Sequence, residues 1–148
     1  MSEESAQESP SATASEERPA LGRADVELRL PADSAYVSVL RTTTAGLAAR
    51  LDFTIDDIED LRIAVGEASA LVLPEADSGS DLVCRFHMSP GRLTVTVTVV
   101  ASTPPHVDYD SFGWQVLTTL ATDAALESAP GEFTVRVTMV SDLAGDLA

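Results

Sequence analysis

Residues 93–99 read Leu-Thr-Val-Thr-Val-Thr-Val, a strict two-residue alternation of apolar and hydroxyl side chains. That period puts Leu93, Val95, Val97 and Val99 on one face of a strand and Thr94, Thr96 and Thr98 on the other. The unbroken β-branched run after Leu93 resists a helix, because such side chains lose χ1 freedom against the preceding turn. A strand with one apolar face needs strands beside it and a second layer over that face. The neighbours are legible. Leu82, Cys84, Phe86 and Met88 alternate with Val83, Arg85 and His87, and Pro90-Gly91 turns the chain, which predicts a hairpin. Val26, Leu28 and Leu30 alternate with Glu27 and Arg29 until Pro31, and Phe133, Val135, Val137 and Met139 alternate with Thr134, Arg136 and Thr138 after Pro130-Gly131.

Three one-faced helices supply the second layer. Val37, Leu40, Thr44, Leu47 and Leu51 recur at spacings of three and four, with Ser34 expected as the cap and Gly46 expected to mark close packing. In the next helix Thr54 and Asp57 resemble a capping box, Asp56, Asp57, Glu59 and Asp60 suit the positive helix start, and Ile58, Leu61, Val65, Ala68 and Val72 form the core stripe up to Pro74. Ser111 can cap a third helix carrying Phe112, Val116, Leu117, Leu120 and Ala124. The expected order is β-α-α-β-β-α-β. It describes an α/β two-layer sandwich of the α+β class, a mostly antiparallel sheet with helices on one face.

The 148 residues suit one domain. Residues 1–24 are Ser, Glu, Ala and Pro with almost nothing to bury, so a disordered acidic tail is expected there and a single domain over 25–148. The tail carries five acids and two arginines, net −3, which leaves −12 of the total −15 on the domain. All nine basic residues are arginine. Nucleic acid and anionic membrane surfaces are thereby disfavoured as partners. The lone Cys84 cannot form an internal disulfide and alternates with core residues, which suggests a buried structural thiol. No apolar run reaches the roughly 20 residues of a membrane span, and the acidic opening Met-Ser-Glu-Glu lacks signal-peptide character, so a cytoplasmic domain is expected. His87 and His106 are too far apart in sequence to suggest a metal site, and no Gly-x-Ser-x-Gly nucleophile elbow occurs.

The second helix has a further stripe beside its core face: Asp60, Ala64, Glu67 and Leu71, at i, i+4, i+7 and i+11. Periodicity alone leaves two readings open, a solvated acidic stripe or a pair of carboxylates facing a cleft.

Four stretches together resemble the anti-sigma regulatory factors, bacterial serine-protein kinases of the GHKL ATPase superfamily. They are Leu30-Pro31-Ala32 with Tyr36 to Arg41, Asp60 to Ala68, Phe112 to Asp123, and Gly131 before the last strand, in register from about Val26 to Val140. The resemblance implies the two-layer fold already argued. It also implies that Glu67 holds the general-base position, that Gly113 and Gly131 are remnants of the nucleotide-binding boxes, and that Arg41 contacts partner proteins.

The departures bear on the chemistry. Leu71 stands where the family has the Asn that ligates Mg²⁺, and an isobutyl group offers magnesium no oxygen. Ala101-Ser102-Thr103-Pro104-Pro105 replaces the family's Asp-x-Gly-x-Gly, so the adenine-reading carboxylate is missing. Glu132 replaces a Thr after Gly131 and is expected to bring negative charge toward the site. Phosphoryl transfer rests on metal-assisted positioning, so no Mg-ATP cofactor is expected. What remains implied is an anti-sigma factor that sequesters an alternative sigma factor and is released by an anti-anti-sigma (STAS-type) antagonist, as a homodimer. The alternative is an active serine kinase of that antagonist using Mg-ATP. A third reading is a sensor whose cleft, made apolar by Leu71 and Ala101, takes another small ligand.

Overall fold

The structure, a computed structural model, describes residues 20–141. The expected tail falls largely outside the described residues. The chain runs β1 (Val26–Pro31), a 3-10 turn (Ser34–Tyr36), α1 (Val37–Arg50), α2 (Ile55–Val72), a second 3-10 turn (Leu73–Glu75), β2 (Asp81–Ser89), β3 (Arg92–Val100), α3 (Phe112–Leu120), β4 (Asp123–Ala129) and β5 (Glu132–Val140). The strands form one sheet in the order β1-β2-β3-β5-β4, every neighbouring pair antiparallel.

The expected fold class holds, with one strand more than expected. The third helix does not reach Ala124. It ends at Leu120, Ala121 is already extended (ψ 153°), and residues 123–129 pair with β5. Asp-Ala-Ala-Leu-Glu-Ser-Ala is helix-prone by composition, so no local signal marks it as a strand. The tight turn at Pro130-Gly131, with Gly131 at φ +81°, folds it back onto the strongly patterned β5. Tertiary pairing overrides propensity here.

The register carries one apolar row across all five strands: Leu28, Cys84, Val97, Val135 and Leu126. Cys84, Val97 and Val135 are fully buried and join Leu40, Leu61, Val65, Ala68, Val72 and Leu117 from the helices in one core. Burial in this apolar layer pushes the Cys84 thiol up to about 12.

The opposite face is drier than a simple polar-out strand would be. Thr94, Thr96, Thr98 and Thr138 are all buried. Two hydroxyl pairs form across the β3–β5 junction, Thr94 with Thr138 at 3.0 Å and Thr98 with Thr134 at 2.7 Å. Buried hydroxyls tolerate this position because each pair satisfies itself. Arginines and acids flank the threonines, with Arg85 on Glu27 at 3.3 Å and Arg136 on Glu127 at 3.6 Å.

Caps set the helix directions. Thr54 Oγ1 accepts from Asp57 N at 3.1 Å, and Ser111 Oγ accepts from Trp114 N at 3.2 Å, both as the sequence suggests. At the first helix the capping acceptor is Asp33 rather than Ser34. Its carboxylate accepts from Ala35 N at 2.9 Å and closes a 3-10 turn ahead of α1. Between α1 and α2 the chain reverses through a Schellman arrangement: Phe53 N donates to Ala48 O, Asp52 N donates to Ala49 O, and Asp52 takes the left-handed position at φ 63°. Phe53 is buried and fixes the reversal, which lays α1 antiparallel along one flank of α2. Gly46 marks no close packing; it is exposed, and a Cβ there would meet nothing within 4 Å.

Candidate functional site

The helix α2 runs between α1 and α3, and its two flanks meet different neighbours. The stripe Asp60, Ala64, Glu67, Leu71 is not a solvated face. Ala64 is fully buried, and Asp60, Glu67 and Leu71 are each half-buried. Glu67 reaches α3: a Cβ at Gly113 would stand 3.0 Å from its Oε1. The carboxylate therefore rests over the second residue of α3, a spot that only a glycine leaves clear. Ser111 caps that helix, and Glu67 is an acceptor placed at its positive end.

Leu71, one turn further along α2, packs against the hydrophobic core. Val107 from the loop before α3 and Trp114 from α3 itself also lean on the core, and the Tyr109 ring meets Trp114 edge-on at 5.4 Å. Phe112 points the other way and is 80% exposed.

The exit of β3 is fastened from two sides. Ala101 is buried, and its N–H donates to Gly131 O at 3.0 Å, so the stretch that departs from the family's Asp-x-Gly-x-Gly meets the glycine before the last strand. Ser102 is held by Asp77 from the turn before β2. Ser102 N donates to Oδ1 at 2.9 Å and the Ser102 hydroxyl donates to Oδ2. Those bonds, the hydroxyl's first, hold the Asp77 carboxyl below its ordinary value. A depression of about 450 Å³ opens between the Ala101–Pro105 segment and the β4–β5 turn, and none of its lining side chains is charged.

Tested against Mg-ATP, these residues do not fit the group. The position expected to ligate the cation is a leucine committed to the core. The position expected to read adenine is a buried alanine, which offers no carboxylate. Glu132 does not bring charge to this site either. Phe133 takes the core face of β5, so the two-residue period turns Glu132 to the open face, where it lines a separate depression with Arg29 and Arg85.

Arg41 lies on the other flank of α2. It is exposed, yet its guanidinium is laid over Gly66, with Nη2, Nε and Cζ at 2.8, 2.9 and 3.2 Å from where a Cβ would stand. Gly66 and Asp77 are the two site residues that sequence reasoning passes over. A glycine inside an eighteen-residue helix is the signal that points to the first; nothing in the polar turn singles out the second. The histidines stay apart: His87 bonds Gly22 O through Nε2 at 3.0 Å on the open face, and His106 is exposed in a loop. Among the described residues no group of three or more His, Cys, Asp or Glu could hold a metal ion.

The resemblance seen in the sequence is matched by comparison with known proteins. The chain is 43% identical over 74 residues to the serine-protein kinase RsbW of Halalkalibacterium halodurans, covering 49% of this chain and 46% of that protein. It is 36% identical over 88 residues to RsbW of Bacillus subtilis, covering 57% and 53%. The chain spans about half the length of the curated relatives it matches, and no family model matches it. Among solved structures it superposes on the RsbU and RsbW domains of a Mycobacterium tuberculosis protein with a TM-score of 0.62 at 16% identity, over 78% of this chain and 31% of that one. It superposes on the histidine kinase domain of a blue-light-activated kinase from Erythrobacter litoralis with a TM-score of 0.53 at 15% identity, over 87% and 69%. The fold is that of the GHKL-type kinase domains.

Proposed function

We propose that this chain is an anti-sigma factor that works by binding: it sequesters an alternative sigma factor in the cytoplasm and is released by an anti-anti-sigma antagonist of the STAS type, without efficient ATP-dependent phosphorylation. The observation that carries this reading is the character of positions 71 and 101. A half-buried leucine packed against the core and a buried alanine stand at the two positions where the resemblance calls for a metal ligand and an adenine-reading carboxylate. Homology to RsbW serine-protein kinases supports the sigma-regulating class. The strong negative charge supports the choice of partner, because sigma factors carry basic DNA-binding surfaces and an acidic captor attracts them at long range. Arg41, exposed and without an ion pair among the described residues, is the side chain proposed to touch both partners. We also propose a homodimer.

One observation favours the kinase alternative: Glu67 is retained, and its carboxylate sits over Gly113 at the start of α3. Two measurements separate the readings. Calorimetry with purified sigma factor and antagonist is expected to give binding at micromolar or tighter, and absence of both interactions rejects the proposal. Incubation with Mg-ATP and the antagonist is expected to leave the antagonist unphosphorylated. Robust serine phosphorylation, lost in Glu67→Ala, replaces the binding-only reading with the kinase.

A further inference from the structure

The seat under Arg41 calls for a reason. Glycine in the middle of a long helix is unfavourable, and nothing in the backbone of α2 requires it, since Gly66 is not among the positive-φ glycines. What it does is leave a flat spot. Nη2 and Nε of the Arg41 guanidinium stand at 2.8 and 2.9 Å from the missing Cβ and Cζ behind them at 3.2 Å, so the Nε–Nη2 edge of the group is turned onto the helix. Arg41 is exposed, so the remainder of the group is open to solvent, and it has no hydrogen bond or ion pair among the described residues. Arg29, Arg85 and Arg136 each have a carboxylate within 4 Å, whereas Arg41 shares its unpaired state with Arg23, Arg50, Arg62 and Arg92 among the described residues; what sets Arg41 apart is its seat on a helix glycine.

We propose that Gly66 is a positioning residue for partner recognition: by omitting a side chain it holds the Arg41 guanidinium ordered and unpaired against α2, ready for a carboxylate on a protein partner. The inference rests on the proposed partner contact of Arg41 and adds the residue that makes that contact effective. A long side chain ordered before binding loses less freedom when the partner arrives, and a guanidinium fixed in one plane can engage a carboxylate through two parallel N–H bonds. Gly66 is followed directly by Glu67, which reaches the opposite neighbour, α3. Two consecutive residues of α2 thus organise both flanks of the site.

The substitution Gly66→Ala isolates the effect. A methyl at 66 collides only with the far end of a flexible side chain, so Arg41 swings away while the helix gains propensity. Melting temperature is expected to stay level or rise. Relaxation of the arginine Nε–H groups by ¹⁵N NMR is expected to show Arg41 more ordered than the exposed Arg50 in the unaltered protein and equally mobile in Gly66→Ala. Affinity for the purified anti-anti-sigma antagonist is expected to fall about three- to tenfold in Gly66→Ala and about tenfold or more in Arg41→Ala, with no further loss in the double variant. An Arg41 as mobile as Arg50 from the outset overturns the seat without reference to any partner. Loss of affinity in Arg41→Ala but not in Gly66→Ala overturns it while leaving the partner contact standing. No loss in Arg41→Ala, or no binding by the unaltered protein, removes the partner contact on which the inference rests.

Discussion

Asp77 accepts both hydrogen bonds that Ser102 can donate, one from its backbone N–H at 2.9 Å and one from its hydroxyl, and so ties the exit of β3 to the turn before β2. Asp77 N in turn donates to Val100 O at 2.8 Å. The segment that begins at Ser102 is the one that the resemblance implies would carry glycines; here it is clamped at its first residue and carries Pro104-Pro105. The clamp has a pH signature. Because those bonds lower the Asp77 carboxyl below 3.8, its stabilisation is complete above that ordinary value and fades as pH falls through the depressed folded value. Asp77→Ala is expected to melt earlier than the unaltered protein at pH 7, and the gap is expected to close below pH 3.8. Parallel thermal melts across pH check it; a gap that stays constant into acid means the carboxylate is not the stabilising group.

The Thr94–Thr138 pair, 3.0 Å apart with both residues buried, gives a second prediction. Thr→Val is close in shape but removes the hydroxyl. One substitution strands the partner's hydroxyl and is expected to cost about 1–3 kcal/mol, whereas Thr94→Val/Thr138→Val together remove both and come out near neutral. Urea titrations of the two single variants and the double variant form the cycle. Additive losses mean that the two hydroxyls do not depend on each other.

How far the residues announce this architecture depends on what dictates each element. The hairpin of residues 82–99 and the last strand follow from alternation alone, because a buried face fixes the period. The core stripe of α2 follows as directly: Leu61, Val65, Ala68 and Val72 are all fully buried. The strand at 123–129 is invisible locally, since its alanines, Leu126 and Glu127 suit a helix and only pairing with β5 makes them extended. At the site, the stripe Asp60 to Leu71 is legible as a feature but not as a wall, because periodicity places residues on a helix face without saying what lies opposite. The reach of Arg41 to Gly66, of Glu67 to Gly113 and of Asp77 to Ser102 are contacts between elements, and no spacing in the sequence encodes them.

Cys84 supplies a probe of the core. Its side chain is fully buried in the apolar layer of the sheet and its thiol is pushed up to about 12. The thiolate is the reactive form, so at neutral pH the folded protein is expected to be inert to a disulfide reagent and to react only as it unfolds. Following thiol release against urea, the reaction is expected to track the loss of circular dichroism. Prompt reaction in native buffer means that the β1–β2 side of the sheet opens separately from the rest.

The strongest prediction concerns attempted restoration of the nucleotide site. Leu71→Asn supplies an amide oxygen at the cation position, and Ala101→Asp supplies a carboxylate at the adenine position. Neither change finds a prepared environment. Leu71 is packed against the core, and Ala101 is 3% exposed, with its backbone bonded to Gly131. Introducing an unpartnered carboxylate at 101 is expected to cost roughly 2–4 kcal/mol, and an amide at the half-buried position 71 about 1–2 kcal/mol. The clamp at Ser102 also keeps the following loop from reshaping around a ligand. The double variant is therefore expected to melt well below the unaltered protein and to show no upward shift on adding Mg-ATP. Differential scanning fluorimetry with and without the nucleotide reads both effects together. A clear ATP-dependent rise in the double variant would mean that only two side chains separate this scaffold from a working nucleotide site, and that the closed loop is no obstacle. A rise in the unaltered protein would mean that the core-packed leucine and alanine do not block the site at all.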